Sequence, residues 1–154
     1  MGVEIERKFL LKEGVAVGEA KSSDRLAQGY VDASRASVRL RIKGDECFLT
    51  IKSAKKGQSR SEYEYLIPKA DGLEMMEEMC GKPLIDKTRS LVEHEGHTWE
   101  VDTFHGENEG LVVAEIEFEE EGQEISLPEW VGKEVTDERK YSNASLAKKP
   151  FREW

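Results

Sequence analysis

Like charges recur two residues apart in several short segments of this 154-residue chain. Carboxylates form the pairs Glu4/Glu6, Glu62/Glu64, Glu100/Asp102 and Glu115/Glu117, and cations form the pairs Arg39/Arg41 and Lys87/Arg89, with Lys8 and Lys52 beside them. Several Arg and Lys side chains suit an anion of high charge density, because the guanidinium fork binds phosphate oxygens bidentately. Carboxylates without His or Cys suit hard divalent cations such as Mg²⁺ or Mn²⁺. Together the two sets predict a polyphosphate bound with one or two metal ions.

Alternation of apolar and polar residues places these charges on single faces of predicted β-strands. Side chains two apart on a strand share a face, so Glu4 and Glu6 lie opposite Val3 and Ile5. A solvent-exposed sheet face gives the same alternation in many antiparallel proteins. Like charges at this spacing repel each other, however, and their repetition in strand after strand favours a ligand of opposite charge. A closed barrel with a polar interior brings such strands around one ligand.

Short alternating runs separated by turn residues predict a β-dominated α+β domain over residues 1–154. The predicted strands are Val3–Leu11, Leu26–Val31, Ser37–Lys43, Glu46–Lys52, Ser61–Pro68, Leu84–Glu93, Thr98–Phe104 and Leu111–Glu119. A first helix is predicted after Asp71 as N-cap, with Leu73, Met76 and Met79 facing the core. A second is predicted over Ser142–Lys149.

Composition excludes several classes of protein. Charged residues make up 36% of the chain and the net charge is −9, which argues against a membrane protein and against a non-specific nucleic-acid binder. No apolar run approaches a membrane span of about 18 residues, and the N-terminus has no apolar signal core. Cys47 and Cys80 are expected to be buried thiols in a reducing compartment, so a cytoplasmic protein is expected.

The charged motifs, in their order along the chain, resemble the CYTH domain family, also called triphosphate tunnel metalloenzymes. Glu4-Ile5-Glu6-Arg7-Lys8 has the ExExK form that opens these domains. The later matching segments are 39–41, 49–53, 59–64, 86–89, 100–104, 115–118, 134–136 and 141–143. The resemblance extends to the C-terminal helix. It implies a closed, eight-stranded antiparallel tunnel with a few flanking helices, holding a linear triphosphate and a divalent metal.

The resemblance also implies a role for each residue that matches a family motif. The implied substrate-binding residues are Lys8, Arg39, Arg41, Lys52, Lys87, Arg89 and Lys140. The implied metal ligands, or their outer shell, are Glu4, Glu6, Asp102, Glu115 and Glu117. The implied catalytic set is Glu4, Glu6, Lys8, Lys87, Glu115 and Glu117, and further tunnel-facing candidates are Glu62, Glu64, Glu100, Arg139 and Tyr141. Arg139 is an alternative to Lys140, because both positions before Tyr141 are basic.

The implied reaction is metal-dependent hydrolysis of a linear triphosphate, first of all inorganic tripolyphosphate, to pyrophosphate and phosphate. A class IV adenylate cyclase would use the same tunnel to convert ATP into cyclic AMP and pyrophosphate. Thiamine or nucleoside triphosphates are further candidate substrates, and Trp99 or Trp130 would be the aromatic stack for thiamine. A polyphosphate-binding module without activity is the alternative outside enzymes. The expected partners are therefore a small triphosphate and, given apolar outer strands, a second copy in a homodimer, but no nucleic acid and no membrane.

Overall fold

The computed structural model describes residues 2–57 and 59–154. Within them the strands are β1 (Gly2–Leu11), β2 (Ala20–Val31), β3 (Ser37–Lys43), β4 (Glu46–Lys52), β5 (Ser59–Ile67), β6 (Ile85–His94), β7 (His97–Phe104), β8 (Val112–Glu117) and β9 (Val131–Glu134). The α-helices are α1 (Lys69–Met79) and α2 (Asn143–Lys148), and short 3₁₀ turns cover Gly106–Asn108, Arg139–Tyr141 and Phe151–Glu153. No helix in this described part of the chain is long and apolar enough to cross a membrane.

Eight of the strands close into an antiparallel barrel, as predicted. Around the barrel the order is β1, β5, β4, β3, β2, β6, β7 and β8, and β8 pairs with β1 again. β9 is an additional strand that the sequence did not predict. It pairs with the second half of β1, where Phe9 lies opposite Glu134. β2 begins at Ala20 rather than Leu26, because pairing with β6 extends it through exposed polar residues that show no apolar alternation.

Much of the apolar core lies outside the barrel wall, since the inner face is occupied by charged residues. One cluster packs Phe9, Trp99 and Trp130 behind β1, β7 and β8. The Trp99 and Trp130 rings meet edge to face with 5.6 Å between centroids, and both side chains are buried. The expectation that one of them forms an aromatic stack at the tunnel mouth is therefore wrong.

A second apolar cluster closes one end of the barrel interior. Phe104 lies opposite Lys87 in the β6–β7 pairing, and Val113 lies opposite Asp102 in the β7–β8 pairing, so both share the inner face with charged residues. Leu146 of α2 packs into the same cluster. The Ser142 side chain caps α2 by accepting a hydrogen bond from the Ser145 backbone N–H. Helix α2 therefore follows its prediction to within one residue at each end.

Helix α1 covers the outside of β3 and β4 with a different face from the one predicted. It begins at Lys69, after Pro68 and without a side-chain cap, so the prediction of Asp71 as N-cap is wrong. Met76 is buried, whereas Leu73 and Met79 are 51% and 52% exposed. The buried face runs through Gly72, where a Cβ atom would overlap the Cys47 sulfur. This close approach sets the rotation of the helix. Cys47 and Cys80 are both buried, unpaired thiols.

Candidate active site

The barrel interior contains a cavity of about 260 Å³ whose lining is almost entirely polar. Each of the eight barrel strands contributes at least one side chain to it. The lining residues are Glu4, Glu6, Lys8, Tyr30, Ser37, Arg39, Arg41, Lys52, Arg60, Glu62, Glu64, Arg89, Glu100, Glu115, Glu117, Ser142, Asn143 and Ala144. The charged side chains that alternate with apolar ones in the sequence thus point into the barrel, and most of the predicted charged residues meet in one lumen.

Three carboxylates form a cluster that we call the acid cluster: Glu4, Glu6 and Glu117. One oxygen of each lies within 4.8 Å of the other two. The strand register explains this proximity, because Glu6 lies directly opposite Glu117 in the β1–β8 pairing and Glu4 follows on the same face. Lys52 reaches into the cluster, with its ammonium 2.7 Å from Glu4 Oε2.

The electrostatics of the acid cluster show crowded negative charge. Burial and the carboxylates of Glu115 and Glu4 raise the pKa of Glu6 well above its ordinary value. Burial, with Glu100 and Glu4 nearby, raises the pKa of Glu117 to about 7. Burial also acts to raise the pKa of Glu4, but hydrogen bonding with Glu6 and the charge of Lys52 outweigh it and lower the pKa to about 2. A bound cation would relieve the repulsion, and hard oxygen ligands suit a divalent one.

A second charged group, which we call the paired network, consists of Lys87, Arg89 and Asp102. The Lys87 ammonium donates to Asp102 Oδ2 at 2.7 Å and to Asn143 Oδ1 at 3.0 Å. The Arg89 guanidinium donates to both Asp102 oxygens, at 2.8 and 2.9 Å, and to Glu100 at 3.0 Å. Both oxygens of Asp102 are therefore occupied by cations.

Burial is the largest influence on the pKa values of Lys87 and Asp102, but at Asp102 the neighbouring cations outweigh it. It lowers the pKa of Lys87 to about 7, against the attraction of Asp102. It acts to raise the pKa of Asp102, yet Lys87 and Arg89 outweigh it and lower that pKa to about 2. Asp102 is thus the counter-ion of two cations and lies outside the acid cluster, and its implied place among the metal ligands or their outer shell stays a prediction.

Arg41 differs from the other arginines of the lumen. Its Nε donates to Gln28 Oε1 at 2.6 Å, and no carboxylate in the described residues lies within 4.0 Å of its guanidinium. Arg39, in contrast, donates to Glu64 at 3.4 Å. Burial and the charges of Arg39 and Arg89 lower the pKa of Arg41 to about 10, so it is still a cation at neutral pH. Its remaining N–H groups are available to an anion.

Several predicted site residues lie outside the lumen lining. Lys87 and Asp102 are fully buried behind it. Lys140 holds its ammonium 4.4 Å from the centre of the Trp154 ring. Tyr141 belongs to the apolar end cluster, and its backbone oxygen accepts a hydrogen bond from Lys8 Nζ at 3.2 Å. Arg139 lines a second, adjoining cavity.

The lumen also contains residues that were not predicted as site residues. Arg60 lies 3.8 Å from both Glu4 and Glu6, and its position two residues before Glu62 was a usable signal that it shares the inner face. Tyr30 lies opposite Arg39 in the β2–β3 pairing. Ser142 and Asn143 belong to the matching segment 141–143, but only the packing of α2 onto the barrel end brings them to the lumen.

A family model described as the CYTH domain matches residues 2–150. The chain belongs to the CYTH domain family.

Relatives with assigned activities match over nearly their full length. The chain is 44% identical over 153 residues to an inorganic triphosphatase of Acetivibrio thermocellus, covering 99% of this chain and 97% of that protein. It is 38% identical over 149 residues to an inorganic triphosphatase of Nitrosomonas europaea, covering 94% and 96% respectively.

Solved structures agree with the fold. A crystal structure of an inorganic triphosphatase superposes with a TM-score of 0.68 at 34% identity, over 96% of this chain and 95% of the other. A putative adenylyl cyclase from Hippeastrum superposes with a TM-score of 0.55 at 15% identity, over 78% and 80%. The second likeness supports the barrel fold alone.

Proposed function

We propose that this protein is a triphosphatase that uses a divalent metal to hydrolyse inorganic tripolyphosphate to pyrophosphate and orthophosphate, with residues 1–154 acting as one domain. The observation that carries the proposal is that one lumen holds both a cluster of carboxylates and an arginine without a carboxylate partner among the described residues. The acid cluster lies on β1 and β8, and Arg41 lies on β3, which β5 and β4 separate from β1. The names of the two curated relatives, at 44% and 38% identity, support the same activity.

The acid cluster fits the divalent metal that the family implies. Glu4, Glu6 and Glu117 offer three oxygens close together, and the pKa values of Glu6 and Glu117 are raised by burial and by carboxylate repulsion that a cation would relieve. When bound, a divalent metal neutralises phosphate charge and lowers the pKa of a coordinated water. We propose Mg²⁺ or Mn²⁺, as one or two ions, because all the ligands are carboxylates.

The cations of the lumen would bind and orient the phosphates. Among the described residues, Arg41 has N–H groups without a carboxylate partner. Arg39 lies two residues away on the same strand, β3, and Lys52 lies on the neighbouring strand β4; both line the same lumen. In the reaction, a water oxygen bonds to the terminal phosphorus while the bridging P–O bond breaks and pyrophosphate leaves. Charge develops on the leaving pyrophosphate, so fixed cations stabilise the transition state more than the bound substrate.

We assign Lys87 and Asp102 a supporting role. Lys87 is fully buried and Asp102 has both oxygens occupied, so neither is free to meet a phosphate or a metal in this arrangement. Their part is to hold Arg89, whose guanidinium lines the lumen. Lys8 faces the lumen, where it pairs with Glu115 at 3.3 Å, and we keep both among the residues close to the reacting phosphate.

The cyclase and the thiamine triphosphatase remain the competing activities. Thiamine would need an aromatic partner, and Tyr30 is the aromatic side chain among the lining residues of the described lumen. Cyclisation of ATP would need room for a nucleoside beside the phosphates. We also propose a cytoplasmic location, supported by the two buried thiols, and a homodimer, supported by exposed Tyr65 and Val3 on the outer barrel face.

The decisive experiment is an assay of products. Tripolyphosphate, ATP, thiamine triphosphate and pyrophosphate are each incubated with Mg²⁺ or Mn²⁺, and orthophosphate, pyrophosphate and cyclic AMP are all quantified. We expect orthophosphate and pyrophosphate in equal amounts from tripolyphosphate, and none after chelation of the metal. Cyclic AMP from ATP without tripolyphosphate hydrolysis would establish the cyclase, and binding of tripolyphosphate without any product would establish a binding module.

A further inference from the structure

The barrel wall has a gap along one edge of β1. β5 pairs with β1 over Gly2–Ile5, and on the same edge the Lys8 backbone oxygen accepts from the Val135 N–H at 2.8 Å, just after β9. Within the described residues, Glu6 and Arg7 lie between these two pairings without a strand on that side. At about 3.3 Å per residue, the gap spans roughly 7 Å. It lies in the side of the wall, away from the ends of the barrel.

A second cavity of about 440 Å³ lies at this gap, and we call it the side cavity. Glu6, Lys8, Arg60 and Ser142 line both the side cavity and the lumen. The two spaces are therefore separated by single side chains. Since Glu6 also belongs to the acid cluster, the side cavity adjoins the place where we propose that the terminal phosphorus is attacked.

The outer part of the side cavity carries cations from separate segments. Lys55 precedes β5 and Arg139 follows β9, and both line the cavity. Within the described residues, neither has a carboxylate within 4.0 Å, whereas Lys8 and Arg60 face the acids of the lumen. Lys55 and Arg139 are both exposed, and the partial burial of the Lys55 side chain lowers its pKa although Glu6 lies nearby.

The acidic residues of the side cavity do not cancel these cations. Asp137 and Glu138 also line it, but the Glu138 carboxylate lies 3.2 Å from the Lys133 ammonium. The third acidic residue of the cavity, Glu6, has the Arg60 guanidinium 3.8 Å away. Among the described residues that line the cavity, Asp137 is thus the carboxylate without a cation within 4.0 Å. Cations without a carboxylate partner at the wall of a cavity can bind a small oxyanion, because phosphate accepts charge-assisted hydrogen bonds from both ammonium and guanidinium groups.

We propose that the side cavity is a second anion site, which binds the orthophosphate produced in the lumen and gives it a lateral exit through the wall. The identification of orthophosphate rests on the proposed triphosphatase activity, since this product forms beside Glu6. Pyrophosphate remains on the side of Arg41 and Arg39, which line the lumen and not the side cavity. Lys55 and Arg139 are the residues that would bind the orthophosphate.

Binding can be measured without turnover by titrating inorganic phosphate into the metal-free protein in a calorimeter. We compare the wild type with the Lys55→Ala/Arg139→Ala variant, and with Lys55→Gln/Arg139→Gln in case the alanine variant folds poorly. The matched control is Lys21→Ala/Arg25→Ala, which removes the same charge from exposed positions paired with Glu93 and Asp86. Arg41→Gln serves to weaken the binding of phosphate in the lumen.

We expect the dissociation constant for inorganic phosphate at one class of site to rise about tenfold in the Lys55/Arg139 variants. The control should bind inorganic phosphate as the wild type does. Arg41→Gln should retain the class of phosphate site that depends on Lys55. Identical titrations of the wild type and the Lys55/Arg139 variants would overturn the side site, as would a wild type whose only phosphate binding is lost in Arg41→Gln.

The outcomes separate this proposal from the proposed activity. If tripolyphosphate is hydrolysed but phosphate binding ignores Lys55 and Arg139, the activity holds and the side site does not. If phosphate binding depends on both residues but no triphosphate is hydrolysed, the anion site holds and its occupant is not a product of this protein. A further readout is inhibition by added orthophosphate, which should weaken in the Lys55/Arg139 variants if the site lies on the exit route.

Discussion

The acid cluster and the paired network are both groups of charges on the inner barrel face, yet their charges are balanced differently. In the paired network, Asp102 accepts from Lys87 and Arg89, so each charge has its partner within the protein. In the acid cluster, carboxylates meet carboxylates, and the pKa values of Glu6 and Glu117 are raised. A balanced group of charges holds the barrel wall together, whereas an unbalanced group is where a charged ligand would bind.

The largest expected effect is on stability, from Asp102→Asn. This change leaves Lys87 without a carboxylate partner in a buried place and leaves Arg89 with Glu100 alone, and we expect the free energy of unfolding to fall by about 3 kcal/mol. Deprotonation of Lys87, whose pKa is already about 7, limits the loss. Chemical denaturation measures it.

The control for that comparison is Asp86→Asn, which breaks an exposed pair with Arg25. Solvent screens this pair, so its loss should change stability far less. Equal stability of the Asp102 variant and the wild type would show that the paired network does not hold the wall together.

The next largest effect is on activity, from Arg41→Gln. Its guanidinium has no carboxylate partner in the described residues, so removing it leaves no acid unpaired and should change stability little. Loss of a charged phosphate ligand should lower kcat/KM for tripolyphosphate about a hundredfold. The test compares the steady-state kinetics of Arg41→Gln with those of Arg25→Gln, a control on the outer surface. A large loss of stability with unchanged kinetics would show that Arg41 supports the fold and does not bind phosphate.

The smallest effect is expected from Glu117→Gln, and it depends on pH. The pKa of Glu117 is raised from 4.5 to about 7, so between these values the folded protein holds a proton that the unfolded chain has released. This contribution to stability is complete below 4.5 and is lost as the pH rises to about 7. The metal-free wild type should therefore lose stability over that range, and Glu117→Gln should lose less.

The same substitution should weaken the metal site. We expect the metal concentration for half-maximal activity to rise about tenfold, because one carboxylate ligand becomes an amide. Thermal melts of chelator-treated protein and metal titrations of activity measure the two effects. Glu129→Gln, at an exposed position, is the control. Melts that shift alike in both variants, with unchanged metal titrations, would remove Glu117 from the acid cluster.

Much of the fold was predictable, because alternation is a local property. The charged positions of β1, β3 and β8 turn inward as their spacing predicts, and all barrel strands except β2 begin within two residues of their predicted starts. The rotation of α1 was not predictable, since it depends on Gly72 lying against Cys47 on another strand. β9 was missed because four residues, one of them Gly132, give no alternation to detect.

The candidate site was predictable in its residue types but not in its pairing. Spacing placed Glu100 and Asp102 on one face, and the structure confirms that face. It could not show that Asp102 meets two cations while Glu117 meets other acids. Arg60 had a signal in its spacing from Glu62, whereas Lys55 had none, because it reaches the cavity from a loop.

The sequence by itself determined which side chains face inward, because the two-residue period of a strand is fixed by backbone geometry. It also determined that this inner face carries phosphate-binding and metal-binding residue types. Only the tertiary structure decided which charges neutralise one another, since electrostatic energy depends on distance and burial rather than on order along the chain. The strand register sets those distances. It brings three carboxylates together in the acid cluster, gives Asp102 two cations, and leaves Arg41 without a carboxylate partner among the described residues.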